Sequence, residues 1–443
     1  MAYGSARNPY AMEKAGLRRK SNLLLTFVLF ITVYILYVFT NYALSEKNNH
    51  PYSTEKIGGE DLKMHHSTGP VVAYAISLTS CTETPTFIDG AAVLAHSIHL
   101  SSSRNPTSGS RYDYKMYAIV HHDAKACIPS LEKLGYSVLS VDVPVPVKDI
   151  EGDYLRENVH RNGCCGELEF IKLWAYTLIE HPFVVHLDLD TMILQPLDEL
   201  FDAANNDNTE NIDAVMWPEE HHTNTPIDAF FTRDYNMRPA GKKPVGVQGG
   251  FLVIKPSMNV FNEFKGIIRK GDFNKKGWGG LGFGPFYGSM TFQGIIPYYY
   301  DALHPGTAVE LNRCIYNQMA DNPRDQRTVN NIVHGKCRDG REECEDCRER
   351  GIEEIKTAHF TLCQKPWECL PHDADLLQHR LCRKLFSEWY RIRADLELSK
   401  KGLELSKEGN GKTVIVGTGK YQPETFRGFC KSHGKKGYIP MKS

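Results

Sequence analysis

A short apolar run in the middle of the chain ends in two aspartates that are one residue apart. Residues 183–187 (FVVHL) predict a buried strand, and Asp188, Leu189 and Asp190 follow it directly. Side chains alternate along an extended segment, so the two carboxylates point to the same side. Buried carboxylates need a partner that offsets their desolvation, and a divalent cation that prefers oxygen ligands, Mn²⁺ or Mg²⁺, does this well. Acidic loops contain the same spacing by chance, but the strand before it favours a metal site.

Strands and helices alternate in the part of the chain that leads to these aspartates. The predicted strands are residues 71–78, 114–120, 137–143 and 183–187, and the predicted helices are residues 88–100, 126–134 and 167–180. In the last helix Phe170, Trp174 and Leu178 recur every four residues, and Pro182 ends the helix. This alternation predicts an α/β fold with a mostly parallel sheet and helices on its faces. Ligands bind at the carboxyl ends of the strands in such sheets, which is where the two aspartates lie.

An uncharged segment near the N-terminus is long enough to cross a membrane. Residues 23–39 contain no charged side chain, and the uncharged run extends to Leu44. Four lysine and arginine residues lie just before it and only Glu46 and Lys47 follow closely, so the positive-inside rule places the N-terminus in the cytosol. A cleaved signal peptide is the alternative, but the apolar core is long and is followed by a poor cleavage site. The sequence predicts a single-pass type II protein of the Golgi or endoplasmic reticulum membrane, with the rest of the chain in the lumen.

These features divide the chain into five parts. They are a cytosolic tail (1–20), a transmembrane signal-anchor (21–44), a stem (45–69), a large folded domain (70–395) and a charged helix with a flexible tail (396–443). The net charge of −1 gives no sign of nucleic-acid binding, so we expect no nucleic acid among the partners.

The chain has twelve cysteines, and in an oxidising lumen several of them should form disulfides. His334 and three of the cysteines have a spacing that could hold a structural zinc ion. Disulfides are the favoured alternative for the cysteines of this region, which are Cys337, Cys344, Cys347, Cys363 and Cys369. Cys164 and Cys165 are adjacent, which does not suit ordinary disulfide geometry, so each is predicted to pair elsewhere.

Three further segments accompany the two aspartates in a fixed order. The four segments are the helix that carries Lys172, residues 186–202 (HLDLDTMILQPLDELFD), residues 246–257 (GVQGGFLVIKPS) and residues 359–367 (HFTLCQKPW). Together they resemble glycosyltransferase family 8, the glycogenin-like group, over residues 71–367. The resemblance implies the GT-A nucleotide-diphospho-sugar transferase fold, which is Rossmann-like. It also implies a retaining hexosyltransferase that uses a UDP-sugar donor and Mn²⁺ (or Mg²⁺), with a glycan, protein or small molecule as acceptor.

The resemblance also assigns roles to individual residues. Asp188, Asp190 and His359 would hold the metal, and imidazole is a good borderline ligand for Mn²⁺. The expected donor-binding residues are Ser77, Leu78 and Thr79 beside the base, Leu189 through its backbone, Lys172 from its helix, Lys365 at the diphosphate, and Gln248, Gly249 and Gly250 in the sugar pocket. The expected catalytic residues are Gln293, beside the reacting carbon, and Asp190.

Two positions depart from the family pattern. Phe292 stands where the family carries an aspartate next to the residue that matches Gln293, so a mechanism with that carboxylate as nucleophile is not supported. Leu362 stands where the family carries a glycine, which leaves one backbone contact to phosphate without support. The glycine-rich residues 277–288 (GWGGLGFGPFYG) predict either a mobile loop whose aromatic side chains close over sugar or an irregular surface turn.

Two other functions fit parts of the sequence. Phosphatases of the haloacid dehalogenase type also place two such aspartates after a strand, but they need Thr or Val where Met192 stands. A non-catalytic lumenal protein that binds a nucleotide sugar is favoured by the loss of the carboxylate at Phe292. Phosphate release from small phosphoesters would identify the first, and donor binding without turnover would identify the second.

Overall fold

In the computed structural model, seven strands form one central sheet at whose edge the two aspartates lie. The structure describes residues 69–81, 85–205, 226–324, 335–369, 377–405, 430–432 and 434–441. The strands are β1 (Val71–Leu78), β2 (Asp113–His121), β3 (Ser137–Val141), β4 (Val184–Leu187), β5 (Thr191–Ile193), β6 (Ala229–Arg233), β7 (Val247–Ile254), β8 (Phe273–Asn274), β9 (Gly277–Trp278), β10 (Ala308–Glu310) and β11 (Thr357–His359).

Helices connect and cover these strands. The α-helices are α1 (Pro85–Leu100), α2 (Ile128–Lys133), α3 (Asp153–Asn158), α4 (Asp198–Asn205), α5 (Met258–Lys270), α6 (Phe292–Pro297), α7 (Arg313–Tyr316) and α8 (Leu377–Leu405). The 3₁₀ helices are His122–Cys127, Val147–Asp149, Val159–Arg161, Gly166–Thr177, Tyr235–Met237, Cys347–Glu349, Ile352–Glu354, Pro366–Glu368 and Lys435–Gly437, and Tyr298–Leu303 is a π-helix.

The central sheet has the strand order β10-β6-β7-β4-β1-β2-β3. The pairs β1–β2, β2–β3, β1–β4 and β6–β10 are parallel, whereas β7 runs antiparallel to both β4 and β6. The prediction of a mostly parallel sheet in an α/β fold is therefore confirmed. Because β4 and β6 each oppose β7, they run in the same direction, and their carboxyl ends meet at one edge of the sheet.

The sheet is buried on both faces, as the apolar strand sequences require. On one face Val72 and Tyr74 of β1 pack in a cluster with helices α1, α2 and α4. On the other face Ala73 and Ala75 pack in a cluster with the 3₁₀ helix Gly166–Thr177 and with α5 and α6. A third cluster joins α8 to β11 and the residues after it. Helices on both faces leave the carboxyl edge of the sheet as the place for a ligand site.

The helix before β4 differs from the prediction. It is a 3₁₀ helix over Gly166–Thr177 rather than an α-helix over residues 167–180. The fully buried side chains Phe170, Leu173 and Tyr176 recur every three residues, which is the repeat of a 3₁₀ helix. The spacing of four read from the sequence was therefore the wrong period for this segment.

All twelve cysteines form disulfides, which are Cys81–Cys127, Cys164–Cys165, Cys314–Cys347, Cys337–Cys344, Cys363–Cys382 and Cys369–Cys430. The cysteines of the considered zinc site are thus consumed by disulfides, and His334 lies outside the described residues. The prediction that Cys164 and Cys165 pair elsewhere is wrong. The glycines on either side, Gly163 and Gly166, have φ of 72° and 58°, and this left-handed backbone folds the segment into a tight turn.

The glycine-rich residues 277–288 are part of the core. Trp278 is fully buried, Phe283 and Phe286 are 4% and 9% exposed, and β8 and β9 form a hairpin here. Neither predicted interpretation holds, because three of the four aromatic side chains fill the interior. Tyr287 is the exception, with 52% of its surface exposed.

Most predictions about the two ends of the chain concern residues that the structure does not describe. The tail, the anchor and all of the stem except Gly69 lie outside the described residues, as do residues 406–429. No helix in the described part of the chain is long and apolar enough to span a bilayer. The predicted boundary at residue 395 falls inside α8. Tyr438, near the C-terminus, donates a hydrogen bond of 2.9 Å to the buried Asp89 of α1.

Candidate active site

The two aspartates follow β4 at the carboxyl edge of the sheet. The backbone N–H of Asp188 donates to the carbonyl of Gly250 on β7 (3.1 Å), which extends the β4–β7 pairing by one residue. The hydroxyl of Thr191 donates to the carbonyl of Asp188 (2.7 Å), and the chain then enters β5. This turn fixes the backbone of Asp188 and Asp190 from both sides.

His359 reaches the aspartates because β11 pairs antiparallel with β5, and His359 lies opposite Thr191. The next residue, Phe360, donates its N–H to the carbonyl of Asp190 (2.8 Å). The imidazole is 3% exposed. A short two-stranded sheet therefore brings the predicted third ligand to the first two.

Each of the two aspartates is paired with a lysine. Nζ of Lys172 lies 2.8 Å from Oδ1 of Asp188, 3.1 Å from Oε2 of Glu169 and 3.3 Å from the carbonyl of Gly249. Nζ of Lys365 forms an ion pair with Oδ2 of Asp190 and donates to the carbonyl of Phe360 (2.9 Å). Each aspartate thus gives one oxygen to a lysine.

The remaining oxygens face His359. Nε2 of His359 lies 3.9 Å from Oδ2 of Asp188 and 3.5 Å from Oδ1 of Asp190. One ligand atom from each of the three residues lies within 4.8 Å of the others. Two carboxylate oxygens and one imidazole nitrogen that converge in this way fit a divalent cation such as Mn²⁺.

The charges of the site are set by burial and by these neighbours. Burial acts to raise the pKa of Asp190, but His359 and Lys365 outweigh it and hold this pKa well below its usual range. Burial acts to lower the pKa of Lys172, but Asp188 and Glu169 raise it above its ordinary value. The site therefore holds the ionised carboxylate of Asp190 and the charged ammonium group of Lys172 at neutral pH.

The glycine segment of β7 lies beside Asp188, Asp190 and His359, the candidate metal ligands. Gln248 is buried, and its Oε1 accepts the N–H of Gly250 (2.6 Å). A β-carbon on Gly249 would lie 3.3 Å from Nζ of Lys172, and one on Gly250 would overlap the ring of His359. Glycine at both positions lets the functional side chains lie against the backbone of the strand.

Gln293 lies next to this segment. It is the second residue of α6, and its Cγ would lie 3.7 Å from a β-carbon on Gly249. Its neighbour Phe292 is fully buried, with its ring 5.5 Å from Nζ of Lys172. Position 292 therefore offers the site an aromatic ring beside the ammonium group and no carboxylate.

The end of β1, which carries the residues predicted to flank the base, lies next to β4. Oγ of Ser77 is hydrogen-bonded to Nε2 of His186 (2.8 Å), the side chain of Leu78 is buried in the core, and Thr79 is partly exposed. A β-carbon on Gly90 of α1 would lie 3.7 Å from the carbonyl of Leu189, which places that backbone near α1. The three residues thus differ, since only Ser77 near the end of β1 and Thr79 just after it have surface available to a ligand.

The structure adds residues that the sequence did not single out. Glu169 pairs with Lys172 at i, i+3, a spacing that was visible in the sequence. His186 is fully buried, and burial together with the charge of Lys172 lowers its pKa to about 3, so the ring is neutral. Asp234 follows β6 at the same edge of the sheet and is 4% exposed. Only the direction of β6, which local patterning does not give, places Asp234 there.

No protein-family model matches this chain, and no curated protein matches its sequence. Solved structures of glycosyltransferases are similar to it, each at 12% identity. They include mouse xyloside xylosyltransferase 1 (TM-score 0.37; 66% of this chain and 97% of that chain), GlyE of Streptococcus pneumoniae TIGR4 (TM-score 0.39; 78% and 67%) and the galactosyltransferase LgtC in complex with donor and acceptor sugar analogs (TM-score 0.35; 73% and 95%). Identities and TM-scores this low establish neither a shared fold nor a shared activity.

Proposed function

We propose that this protein is a metal-dependent glycosyltransferase that moves a hexose from a UDP-sugar to an acceptor with retention of the anomeric configuration. One observation carries the proposal. Oxygens of Asp188 and Asp190 and Nε2 of His359 face one another, while Lys172 and Lys365 hold the outer carboxylate oxygens. A divalent cation among the three ligands and the two ammonium groups would balance the charge of a nucleoside diphosphate.

The residues around Asp188, Asp190 and His359 would each bind a different part of the donor. Lys365, whose side chain is 31% exposed, would contact the diphosphate, and Lys172, which donates to the carbonyl of Gly249, would contact the donor from its helix. When bound, Mn²⁺ would neutralise charge on the departing nucleoside diphosphate. The amide of Gln293 can donate and accept hydrogen bonds beside the reacting carbon, but it is not a nucleophile.

We also propose that the chain is a single-pass type II protein of the Golgi or endoplasmic reticulum membrane, with this site in the lumen. The six disulfides support an oxidising compartment. Protease digestion of sealed microsomes tests the topology. The lumenal part should survive until detergent is added, and its digestion in sealed vesicles would exclude the arrangement.

UDP binding to the full-length protein in detergent, measured calorimetrically with and without Mn²⁺, tests the metal centre. We expect binding to require Mn²⁺ and to weaken about 100-fold or more in Asp190→Asn, since the side chain loses its negative charge and one of its two oxygens becomes an amide nitrogen. Asp272→Asn removes an exposed carboxylate far along the chain and should leave UDP binding unchanged. A UDP affinity that changes neither on removal of Mn²⁺ nor in Asp190→Asn would exclude the proposal.

Turnover separates the proposal from its two rivals. A panel of UDP-sugars with Mn²⁺ should show slow hydrolysis of one donor, which identifies the sugar without knowledge of the acceptor. Phosphate release from small phosphoesters, with intact UDP-sugars, would indicate the phosphatase. UDP-sugar binding without hydrolysis or transfer would indicate the non-catalytic binding protein.

A further inference from the structure

Glu169 is a buried carboxylate that contacts Lys172 of the candidate active site and has no role in the proposed binding of metal and diphosphate. It lies on the 3₁₀ helix Gly166–Thr177 and is 9% exposed. The three-residue repeat of this helix places it on the same face as Lys172, and Oε2 lies 3.1 Å from Nζ. A carboxylate this buried is expensive to desolvate, so its position calls for an explanation.

Lys172 links Glu169 to the place where a donor sugar would lie. Its Nζ contacts Asp188 on one side and the carbonyl of Gly249 on another. A β-carbon on Gly249 would lie 3.3 Å from that Nζ and 3.7 Å from Cγ of Gln293. The ammonium group of Lys172, the bare strand at Gly249 and the Cγ methylene of Gln293 are therefore neighbours, next to the candidate metal ligand Asp188.

Oε1 of Glu169 contacts a group that cannot donate a hydrogen bond to it. Sγ of Cys164 lies 2.9 Å from Oε1, but this sulfur is bonded to Cys165 and has no proton to donate. Tyr287, which is 52% exposed, has its pKa raised by burial and by the charge of Glu169. Oε1 thus keeps an acceptor position that a ligand hydroxyl can fill, and the carboxylate interacts electrostatically with the exposed Tyr287.

The residues around Lys172 offer few other carboxylates that could bind a sugar hydroxyl. Phe292 lies before Gln293 and presents only a ring to Lys172. Apart from the metal ligand Asp188, Glu169 is the carboxylate paired with Lys172 within the described part of the chain.

We infer that Glu169 is a specificity-determining residue of the donor pocket. Its carboxylate holds Lys172 through Oε2 and accepts a hydrogen bond from a hydroxyl of the transferred sugar. The inference rests on the proposed function and adds to it the side chain that distinguishes one donor sugar from another. A site built to bind a hydroxyl discriminates strongly against sugars that lack it or place it differently.

The test uses the full-length protein with Mn²⁺ and three probes: UDP, UDP-glucose and UDP-galactose. Glu169→Gln removes the charge at nearly constant shape, Glu169→Asp keeps the charge on a shorter side chain, and Glu167→Gln on the same helix is the matched control. Measurements are the affinity for UDP, and kcat and KM for hydrolysis of each donor. UDP lacks the sugar, so its affinity reports the metal and diphosphate contacts alone.

For Glu169→Gln we expect UDP affinity within about threefold of the wild type, whereas kcat/KM for the preferred donor falls about tenfold or more. The preference between the two epimeric donors should narrow, and Glu167→Gln should match the wild type. Unchanged kcat/KM values and donor preference in Glu169→Gln would overturn the inference, and so would an equal loss of UDP affinity. If Glu169→Gln does not fold, Glu169→Asp decides by the same measurements. Failure of the wild type to bind UDP would instead show that the proposed function itself is wrong.

Discussion

The imidazole of His359 occupies the space that a side chain at Gly250 would need. A β-carbon on Gly250 would lie 2.5 Å from Nδ1 of His359, and that buried nitrogen has no hydrogen-bond partner among the residues that the structure describes. Gly250→Ala should therefore displace the ring and weaken Mn²⁺ binding, by about 10- to 100-fold, because a ligand moves out of place. Overpacking should also lower the free energy of unfolding by about 1–3 kcal/mol. Titration with Mn²⁺, followed calorimetrically, measures the first effect, and denaturant unfolding measures the second.

Gly266→Ala is the matched control for this substitution. Gly266 lies on α5, and a β-carbon there meets nothing within 4 Å. Alanine should leave Mn²⁺ affinity unchanged and raise stability by up to about 1 kcal/mol. Equal Mn²⁺ affinity in the two alanine variants would show that His359 does not depend on the bare strand at Gly250.

Lys365 is expected to separate nucleotide binding from metal binding. Its Nζ pairs with Asp190, and 31% of its side chain is exposed at the site. Lys365→Met removes a cation from the proposed diphosphate position, so UDP affinity with Mn²⁺ should fall about 10- to 100-fold, as for the loss of a charged hydrogen bond. Mn²⁺ affinity without nucleotide should not fall, because Asp190 loses a competing cation.

Lys270→Met provides the comparison for Lys365→Met. Its side chain is 73% exposed and lies 3.7 Å from Asp272 on the protein surface. This variant should bind UDP like the wild type. A Lys365→Met variant that does the same would remove Lys365 from the diphosphate site.

Much of the site could be predicted from the sequence because it depends on local patterns. The strand that ends at Leu187 sets the direction of Asp188 and Asp190, and β7 is an apolar run interrupted by two glycines. The position of His359 depends on β11, which has three residues and too little pattern to predict. The contact between Asp190 and Lys365 spans 175 residues of sequence. Here the resemblance, rather than residue patterning, supplied the expectation.

Where the structure differs from the prediction, the cause is again packing between segments that are distant in sequence. The apolar face of Gly166–Thr177 fits both a repeat of three and a repeat of four, and tertiary packing selects the first. Glycines on either side of Cys164 and Cys165 permit a turn that residue spacing alone does not reveal. Trp278 and its aromatic neighbours lie in a glycine-rich segment that has the composition of a loop, yet they fill the core. Composition describes what a backbone can do and not what it packs against.

Asp234 should make stability depend on pH. Burial and the nearby Asp321 raise the pKa of Asp234 to about 6, whereas an unfolded aspartate titrates near 3.9. Because the folded state holds the proton more tightly, its contribution to stability is present below about pH 4 and is lost as the pH rises through about 6. The loss amounts to about 3 kcal/mol. Asp234→Asn keeps an acceptor for the N–H of Asn236 and cannot ionise, so it should be more stable than the wild type at pH 7 and equal to it at pH 4.

Urea unfolding at pH 4, 5, 6 and 7 in the presence of a chelator measures this difference. Asp153→Asn, whose side chain is 79% exposed on α3, controls for the removal of one negative charge. Curves for Asp234→Asn and the wild type that stay parallel across this range would mean that Asp234 is not protonated in the folded protein near neutral pH.

The disulfide Cys369–Cys430 should stabilise the fold more than Cys337–Cys344. The first joins residues 61 positions apart and the second joins residues 7 positions apart. Because a crosslink restricts the unfolded chain more when it closes a longer loop, the entropic model gives about 4 kcal/mol for the first and about 2 kcal/mol for the second. Double serine variants of each pair, unfolded in denaturant without reductant, test the order.

Cys369 also lies four positions after Lys365, on the segment that carries His359, so loss of its disulfide should reduce Mn²⁺ affinity while loss of Cys337–Cys344 should not. The reverse order of stabilities would show that native packing, and not loop length, determines the contribution of these disulfides.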